Sequence, residues 1–497
     1  MRHAVVQEPR LRWRGLARGD KVARAGIIAL VLSAAGVRVW FMIGYPTAFV
    51  GFPDAGLYLF AAGSDIFANT QHPAGYPFFL RLLHHLGDNL LFTIGVQHVL
   101  GIASGLLLYK AVRRTNAPPW LGLLPAAVVF FGGTGLFLEH SIMSDSLFTF
   151  LQAVGVYAAI RALYDHRLRW SLLVGAAIGL SFWDRTVALS SAVLIPIVLL
   201  CAAPGGIRRR LLSALTVTVT VVALIASYVG SQYYFTGYLG YEQQSAWNLY
   251  GRVATFVDCS TFKPPSGTRF LCPSEPVGHR QSQAYYQYGA TAPAPAHFGF
   301  PAFATLHANA LLQEFSIAAI EHQPVSYVEA IAGGLGRYVF PRGGEGYTAE
   351  GLRESLVGES RAKILAVTAD LLFPHSRTYL PTSEVQALST YYADTQIEGP
   401  LLIFLLALAI AGALFLPARM RWAAIVFTLT ALLSIVFAVA GTNYDVRYAY
   451  PTFGPLAAGS ALGAWGIASF LAGTIRRRSS SRARRDSQPS VSATALE

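Results

Sequence analysis

Residues 25–54 read AGIIALVLSAAGVRVWFMIGYPTAFVGFPD, an apolar run that breaks at Tyr45 and Pro46 and ends on the carboxylate of Asp54. About 20 apolar residues cross ~30 Å of hydrocarbon, so 25–44 reads as a membrane-spanning helix and the residues after it as chain leaving the bilayer. The run resembles a signal peptide in its basic flank, but it has full spanning length and Arg38 stands where a cleavage site would fall, so it reads as an uncleaved anchor. Ionisable side chains next to hydrocarbon are costly, and Asp54 is therefore a first candidate for chemistry.

The pattern repeats along the chain. Of 497 residues, 54% are hydrophobic and 13% charged, and mean hydropathy is +0.44, far from an average soluble domain. Apolar runs lie at 25–44, 90–108, 119–138, 145–163, 170–184, 186–203, 211–232, 399–416, 422–441 and 449–472. The fold class is thus an all-α polytopic membrane protein with about ten transmembrane helices. The run at 170–184 is short and ends in Trp183, Asp184 and Arg185, which predicts a tight hairpin between the fifth and sixth spans or a partly re-entrant one.

Basic residues orient the chain, because Lys and Arg are retained on the cytoplasmic side of short loops. The N-terminal tail holds seven, the turns at 109–118, 161–169 and 204–210 three each, the turn at 417–421 two, and the tail from Arg476 six, together 24 of the 38. All fall on one side when ten spans alternate. Both termini are therefore expected in the cytoplasm of a multi-pass plasma-membrane protein, with 1–24 a basic tail, 25–232 seven spans enclosing external loop 45–89, 233–397 a long, mixed external segment, 398–475 three spans, and 476–497 a disordered basic tail rich in Ser and Arg. The net charge of +12 sits in these juxtamembrane clusters, where it suits anionic lipid rather than nucleic acid.

Two external stretches are too long to be mere connections. In the first, Phe78, Phe79, Leu82, Leu83 and Leu86 recur at helical spacing with Arg81, His84 and His85 between them, predicting an amphipathic helix in the interface. The second contains Tyr233, Tyr234, Tyr238, Tyr241, Tyr285, Tyr286, Tyr288, Trp247, His279 and His297, residues that suit either an interfacial belt or the apolar faces of sugars. It also holds Cys259 and Cys272, thirteen residues apart on the oxidising side, expected to form one disulfide worth about 3 kcal/mol. Cys201 reads as a small core residue.

An ordered series of short motifs runs through the external turns: Asp54, the element His72-Pro73-Ala74-Gly75-Tyr76-Pro77, Met143-Ser144-Asp145, Asp184-Arg185-Thr186, and Asp445 through Arg447, Tyr448 and Pro451. In this series the chain resembles the GT-C superfamily of membrane glycosyltransferases that use polyprenyl-phosphate sugars. The branch it is most similar to holds the protein O-mannosyltransferases and the lipid A aminoarabinose transferases, with actinobacterial relatives suggested by the Cys-bearing loop. The resemblance implies a GT-C-like helical fold, a polyprenyl-phosphate sugar donor, and a glycan, lipid or protein acceptor. The sugar, hexose such as mannose or pentose such as arabinose, is left open.

The chemistry fits these residues. A hydroxyl attacking an anomeric carbon must lose its proton, and Asp54 is the candidate base, with a helix-cap role as the alternative. A phosphate leaving group needs positive charge, for which Arg185 and Arg447 are the candidates, each alternatively an anchor of a helix end at the interface, and Arg38, within the first span, is a further one. Asp145 is the second catalytic candidate, against a cap after Ser144, and Tyr76, Glu139, His140, Tyr448 and His72 are candidate substrate contacts. No cofactor is required, although a divalent metal shared by Asp54 and Asp145 is compatible with the chemistry. Asp65, ~16 Å along a helix from Asp54, reads as a solvated surface charge. The reading is an inverting glycosyltransferase acting on the external face, with a lipid-linked-saccharide flippase as the rival and a structural scaffold as the third option.

Overall fold

The computed structural model describes residues 16–50, 53–67, 72–165, 167–300, 305–340, 372–374, 376, 385–395, 397, 399–442 and 444–486. The expectations for Gly51, Phe52, Gln71, residues 1–15 and most of 341–384 therefore lie outside the described residues.

Each of the ten apolar runs is helical. In chain order the helices are α1 (Leu16–Gly44), α2 (Pro53–Gly63), α3 (Gly75–His84), α4 (Leu90–Arg114), α5 (Leu123–Phe131), α6 (Gly133–Glu139), α7 (Asp145–Tyr164), α8 (Arg169–Asp184), α9 (Leu189–Ala202) and α10 (Ile207–Thr236). Then come α11 (Gln244–Ala254), α12 (Gln283–Tyr288), α13 (Pro293–Phe298), α14 (Leu306–His322), α15 (Pro324–Val339), α16 (Val385–Thr395), α17 (Gly399–Ala413), α18 (Ala418–Gly441) and α19 (Tyr450–Asp486). Among the described residues, six helices are by themselves long and apolar enough to cross a membrane. The protein is an all-α, multi-pass membrane protein, and among the described residues there is no strand, only an isolated bridge between Phe49 and Ser141.

The other apolar runs depart from full spans for local reasons. The third is broken at Gly132, where α5 and α6 meet at 53°, and consecutive glycines are a common cause of such a kink. The fifth is only 16 residues long and turns sharply through Arg185 into the sixth, which gives the hairpin expected there. The basic tail departs from expectation too. Composition predicts disorder from Arg476, but α19 continues as helix to Asp486, because a helix already nucleated by an apolar run propagates cheaply through Arg-rich sequence; residues 487–497 lie outside the described residues. Cys201 also differs: it is exposed on α9, facing where lipid rather than protein would surround it.

Packing closes the spans into a bundle. Helix α4 packs on α5 and α7, α7 on α8, α8 and α9 on α10, α9 on α18, and α19 on α5, α17 and α18. Its core includes Ile160, Val198, Phe427 and Leu462. Helices α17 and α19 approach so closely that a Cβ on Gly463 would lie 2.0 Å from the Leu408 carbonyl oxygen, the small-residue contact that membrane helices use.

A buried polar hub sits at the break between α5 and α6. Arg38 donates from Nε and Nη2 to the two oxygens of Glu139, 2.9 Å each, and from Nη1 to the Phe130 carbonyl at 2.9 Å, a group whose helical partner is lost at the break. His98 Nδ1 lies 2.8 Å from Glu139 and its Nε2 3.1 Å from His140 Nδ1, while His140 Nε2 reaches the Tyr45 and Thr47 carbonyls. Tyr450 completes the hub with a 3.3 Å bond to Glu139. Gln97, anchored by the Tyr76 hydroxyl at 2.7 Å, donates to the carbonyls of Glu139 and Ser141. Two backbone bonds, Phe49 N to His140 O and Ile142 N to Phe49 O, both 3.0 Å, then tie the first loop to the turn before α7.

The described parts of the first loop and of the long segment are folded. Helix α3 buries Tyr76, Pro77, Leu80 and Leu83 and leaves Phe78 and Leu82 exposed, with Leu86 exposed just beyond its end, the apolar face expected of an interfacial helix. Arg81 donates to the Ala61, Ala62 and Ser64 carbonyls, satisfying the orphan acceptors at the end of α2. Helices α11–α15 pack around Trp247, Tyr250, Leu271, Tyr286 and Phe315. The expected disulfide joins Cys259 and Cys272. Arg252 links this unit to the bundle, donating to the Val439, Thr442 and Ala330 carbonyls at 2.6, 3.0 and 3.3 Å.

Removing one partner of a buried pair leaves an uncompensated charge. Glu139→Ala should destabilise the protein by roughly 3–5 kcal/mol, read as a lower thermal midpoint of the purified membrane protein, whereas Asp65→Ala at the exposed end of α2 should leave the midpoint unchanged.

Candidate active site

Asp54 lies in the first turn of α2, and its carboxylate engages an arginine and a histidine. Arg447 Nη1 donates to Asp54 Oδ2 at 2.8 Å, and His72 Nε2 stands 3.5 Å from Oδ1. Arg447 is itself aimed by Asp445, which takes its Nε at 2.9 Å and its backbone N–H at 3.0 Å. His72 packs on the Tyr58 ring, centroids 5.0 Å apart. Burial alone would raise the Asp54 pKa, yet the Arg447 charge, followed by His72, holds it well below the usual carboxylate range.

The second half of the site grows from α7 and α8. Asp145, fully buried in the first turn of α7, pairs with Arg185, the residue that follows α8. The Tyr448 ring lies between the two cations, its centroid 5.2 Å from the Arg185 guanidinium and 5.3 Å from that of Arg447. The preceding residue, Asp184, is 2% exposed, and among the described residues neither of its carboxylate oxygens has a hydrogen-bond partner. Gly75 makes this proximity feasible: a Cβ there would sit 2.5 Å from the Trp183 carbonyl oxygen, so the His72–Pro77 turn can rest against the end of α8 only with glycine at that position.

These groups line a cavity of about 500 Å³. One wall carries Asp54, His72, Asp184, Arg185, Arg447 and Tyr448; the facing wall, from the long segment, carries Tyr241, Glu242, Asn248, Gln287 and Tyr288. Burial pushes Glu242 up to about 7, against the opposing influence of its bond from the Ser245 hydroxyl and of the nearby His72. Among the described residues, no group of three or more His, Cys, Asp or Glu is arranged to hold a metal ion. Asp54 and Asp145 are each turned instead toward an arginine.

Of the residues expected at the site, Asp54, His72, Arg185, Arg447 and Tyr448 come together in the cavity wall. Asp145 does not line it and acts from behind, through Arg185. Glu139, His140 and Tyr76 are corrected. They do not reach the cavity, because all three are fully buried in or beside the Arg38 hub. Arg38 is corrected likewise, its guanidinium being held by Glu139 and the Phe130 carbonyl rather than offered to a phosphate. Asp65 is exposed, as expected. Sequence reasoning missed Glu242, Tyr58, Asn248 and Gln287. A signal for Glu242 existed: it is the sole acidic residue between Asp184 and Asp258.

Residues 71–230 match the family described as dolichyl-phosphate-mannose-protein mannosyltransferase. The match begins just before His72 and runs through α10, and it supports the resemblance to GT-C superfamily glycosyltransferases. Two solved structures are similar at low identity. One is the archaeal oligosaccharyltransferase AglB from Archaeoglobus fulgidus in complex with an inhibitory peptide and a dolichol-phosphate, with 11% identity, a TM-score of 0.46, and coverage of 95% of this chain and 52% of that one. The other is the Archaeoglobus fulgidus oligosaccharyltransferase in complex with Zn and sulfate, with 13% identity, a TM-score of 0.43, and coverage of 90% and 49%. The chain thus spans about half the length of the solved structures it matches. No curated protein matches it.

The raised pKa of Glu242 makes stability depend on pH in a definite direction. Its folded form holds a proton that the unfolded chain releases near 4.5, so its contribution falls as pH rises from about 4.5 to about 7 and stays low above that. Glu242→Gln should remove this slope and stabilise the protein above pH 7 by on the order of 1–3 kcal/mol, seen in thermal midpoints measured across that range.

Proposed function

We propose that this chain is a GT-C glycosyltransferase that moves a sugar from a polyprenyl-phosphate donor to an acceptor hydroxyl on the external face of the plasma membrane, with both termini cytoplasmic. The observation that carries the reading is the ion pair between Asp54 and Arg447, drawn from opposite ends of the chain into one cavity beside a second arginine, Arg185. The family match adds support for a lipid-phosphate sugar donor.

In this mechanism Arg447 and Arg185 grip the donor phosphate, whose oxygens suit forked, charge-assisted hydrogen bonds. Tyr448 spaces the two guanidiniums, Asp445 aims one and Asp145 the other. The acceptor oxygen attacks the anomeric carbon, the carbon–oxygen bond to phosphate breaks with its electron pair leaving on the phosphate, and the acceptor proton passes to Asp54. A single displacement of this kind inverts the anomeric centre. While Arg447 is fully committed to Asp54, that carboxylate is a weak base, since effective proton acceptors have pKa values near the working pH. A phosphate that shares the Arg447 N–H groups loosens the pair and raises the basicity of Asp54 as the donor arrives.

The unpartnered oxygens of Asp184, with Asn248 and Gln287 opposite, supply acceptors and donors for sugar hydroxyls, and Tyr288 and Tyr241 offer ring faces. The positive charge that the leaving phosphate requires comes from the protein's own arginines in this reading, so no cofactor is called for. A chelator should accordingly leave the turnover of purified enzyme unchanged.

Asp54→Asn should lower turnover by roughly 100-fold to 10,000-fold while the protein still melts cooperatively. Near-normal turnover, measured as sugar transferred from a polyprenyl-phosphate donor to acceptor, would falsify Asp54 as base. Arg447→Gln should weaken donor use more than acceptor use, which a comparison of the two KM values would show.

A further inference from the structure

A second anion receptor sits at the other end of the bundle. Helix α7 runs 20 residues from Asp145 at the active site to Tyr164, ~30 Å at helical rise, and α8 returns from Arg169 to Asp184. The turn between them is therefore about one hydrocarbon thickness from the catalytic cavity. A cavity of about 410 Å³ opens there, lined by Arg114, Arg161, Tyr164, Asp165, Arg167 and Arg169.

The arginines of this cavity are organised rather than merely clustered. Asp165 accepts from Arg114 Nε at 3.1 Å and from Arg161 Nε at 2.6 Å. Arg161 and Arg169 lie over the Trp170 ring at 4.2 and 5.0 Å, and Arg114 and Arg419 over the Tyr164 ring at 5.5 and 5.1 Å. The cavity thus has one carboxylate, paired with two of its four lining guanidiniums, and two aromatic rings hold three of these four, with Arg419 beside them, by their faces. Stacked and pre-paired guanidiniums lose little entropy on binding a tetrahedral oxyanion, which is the group their forked N–H edges match.

We infer that this cavity binds the phosphodiester headgroup of an anionic phospholipid in the leaflet opposite the active site. The depth of the cavity selects that source over a soluble phosphate: it lies at headgroup level, flanked by Tyr164 and Trp170, aromatic residues that favour the membrane boundary. Basic pockets between spans are suited to such headgroups. Because α7 and α8 carry Asp145 and Arg185 at their far ends, a lipid held here braces the two helices that aim one of the active-site cations.

The test uses full-length protein in bilayer discs of phosphatidylcholine, with and without phosphatidylglycerol. Wild type should melt higher with phosphatidylglycerol and should carry anionic phospholipid through purification, read by native mass spectrometry. Arg167→Gln with Arg169→Gln, at exposed positions that Asp165 does not hold, should melt like wild type in phosphatidylcholine alone and bind the anionic lipid on the order of tenfold or more weakly. Equal retention by the double variant overturns the inference. So does a melting shift in wild type that inorganic pyrophosphate in solution reproduces in full, since the ligand would then be a soluble phosphate.

Discussion

A charge buried among membrane helices must find its counter-charge, and Glu139 imposes that demand on the structure. It is fully buried at the end of a short helix beyond a kink, and it draws Arg38 from α1, His98 from α4 and Tyr450 from α19 to one point. Desolvating such a group costs several kcal/mol, so these four elements meet here or the chain does not fold stably. Much of the functional geometry follows from that convergence. His140 pins the chain leaving α1, Phe49 pairs with the turn before α7, and Tyr450 is three residues from Arg447.

The site built on this scaffold keeps its cations occupied until a ligand competes for them. Arg447 is shared between Asp54 and Asp445, and Arg185 is held by Asp145. Such pairing holds the guanidiniums in place in advance, so in the proposed reaction little reorganisation remains for an entering phosphate. It also separates the carboxylates by environment. Asp54 is held strongly ionised by arginine and histidine, while Glu242 on the facing wall titrates near neutrality because burial outweighs its hydrogen bonds. Two carboxylates facing one cavity with pKa values pushed apart are suited to different proton-handling roles.

Much of this was legible in the sequence where a signal is local. Apolar run length located the helices long enough to cross a membrane, the separation of Cys259 and Cys272 anticipated the disulfide, and the ordered acidic and arginine motifs named five residues of the cavity wall. What failed was assignment by proximity along the chain. Glu139 and His140 lie within six residues of Asp145 and were grouped with it, but a helix end and a turn intervene and direct them toward Arg38 and His98. Arg38 was read as a phosphate ligand for its charge alone, although a buried arginine is more readily satisfied by a carboxylate of its own fold. Glu242 was passed over inside a Tyr-rich stretch, because nothing in its neighbours indicates that α11 will face Asp54.

The sequence by itself determined that the chain is a polytopic helical membrane protein, which turns carry its ionisable residues, and that Asp54, Arg185 and Arg447 stand in one ordered series of such turns. Hydropathy and charge are properties of short windows, and the bilayer converts them directly into helices and turns. The tertiary structure alone decided which carboxylate each arginine would take. An ion pair between residues 393 positions apart depends on helix packing, on the glycine contacts that permit close approach, and on the cost of leaving any one charge buried without its partner.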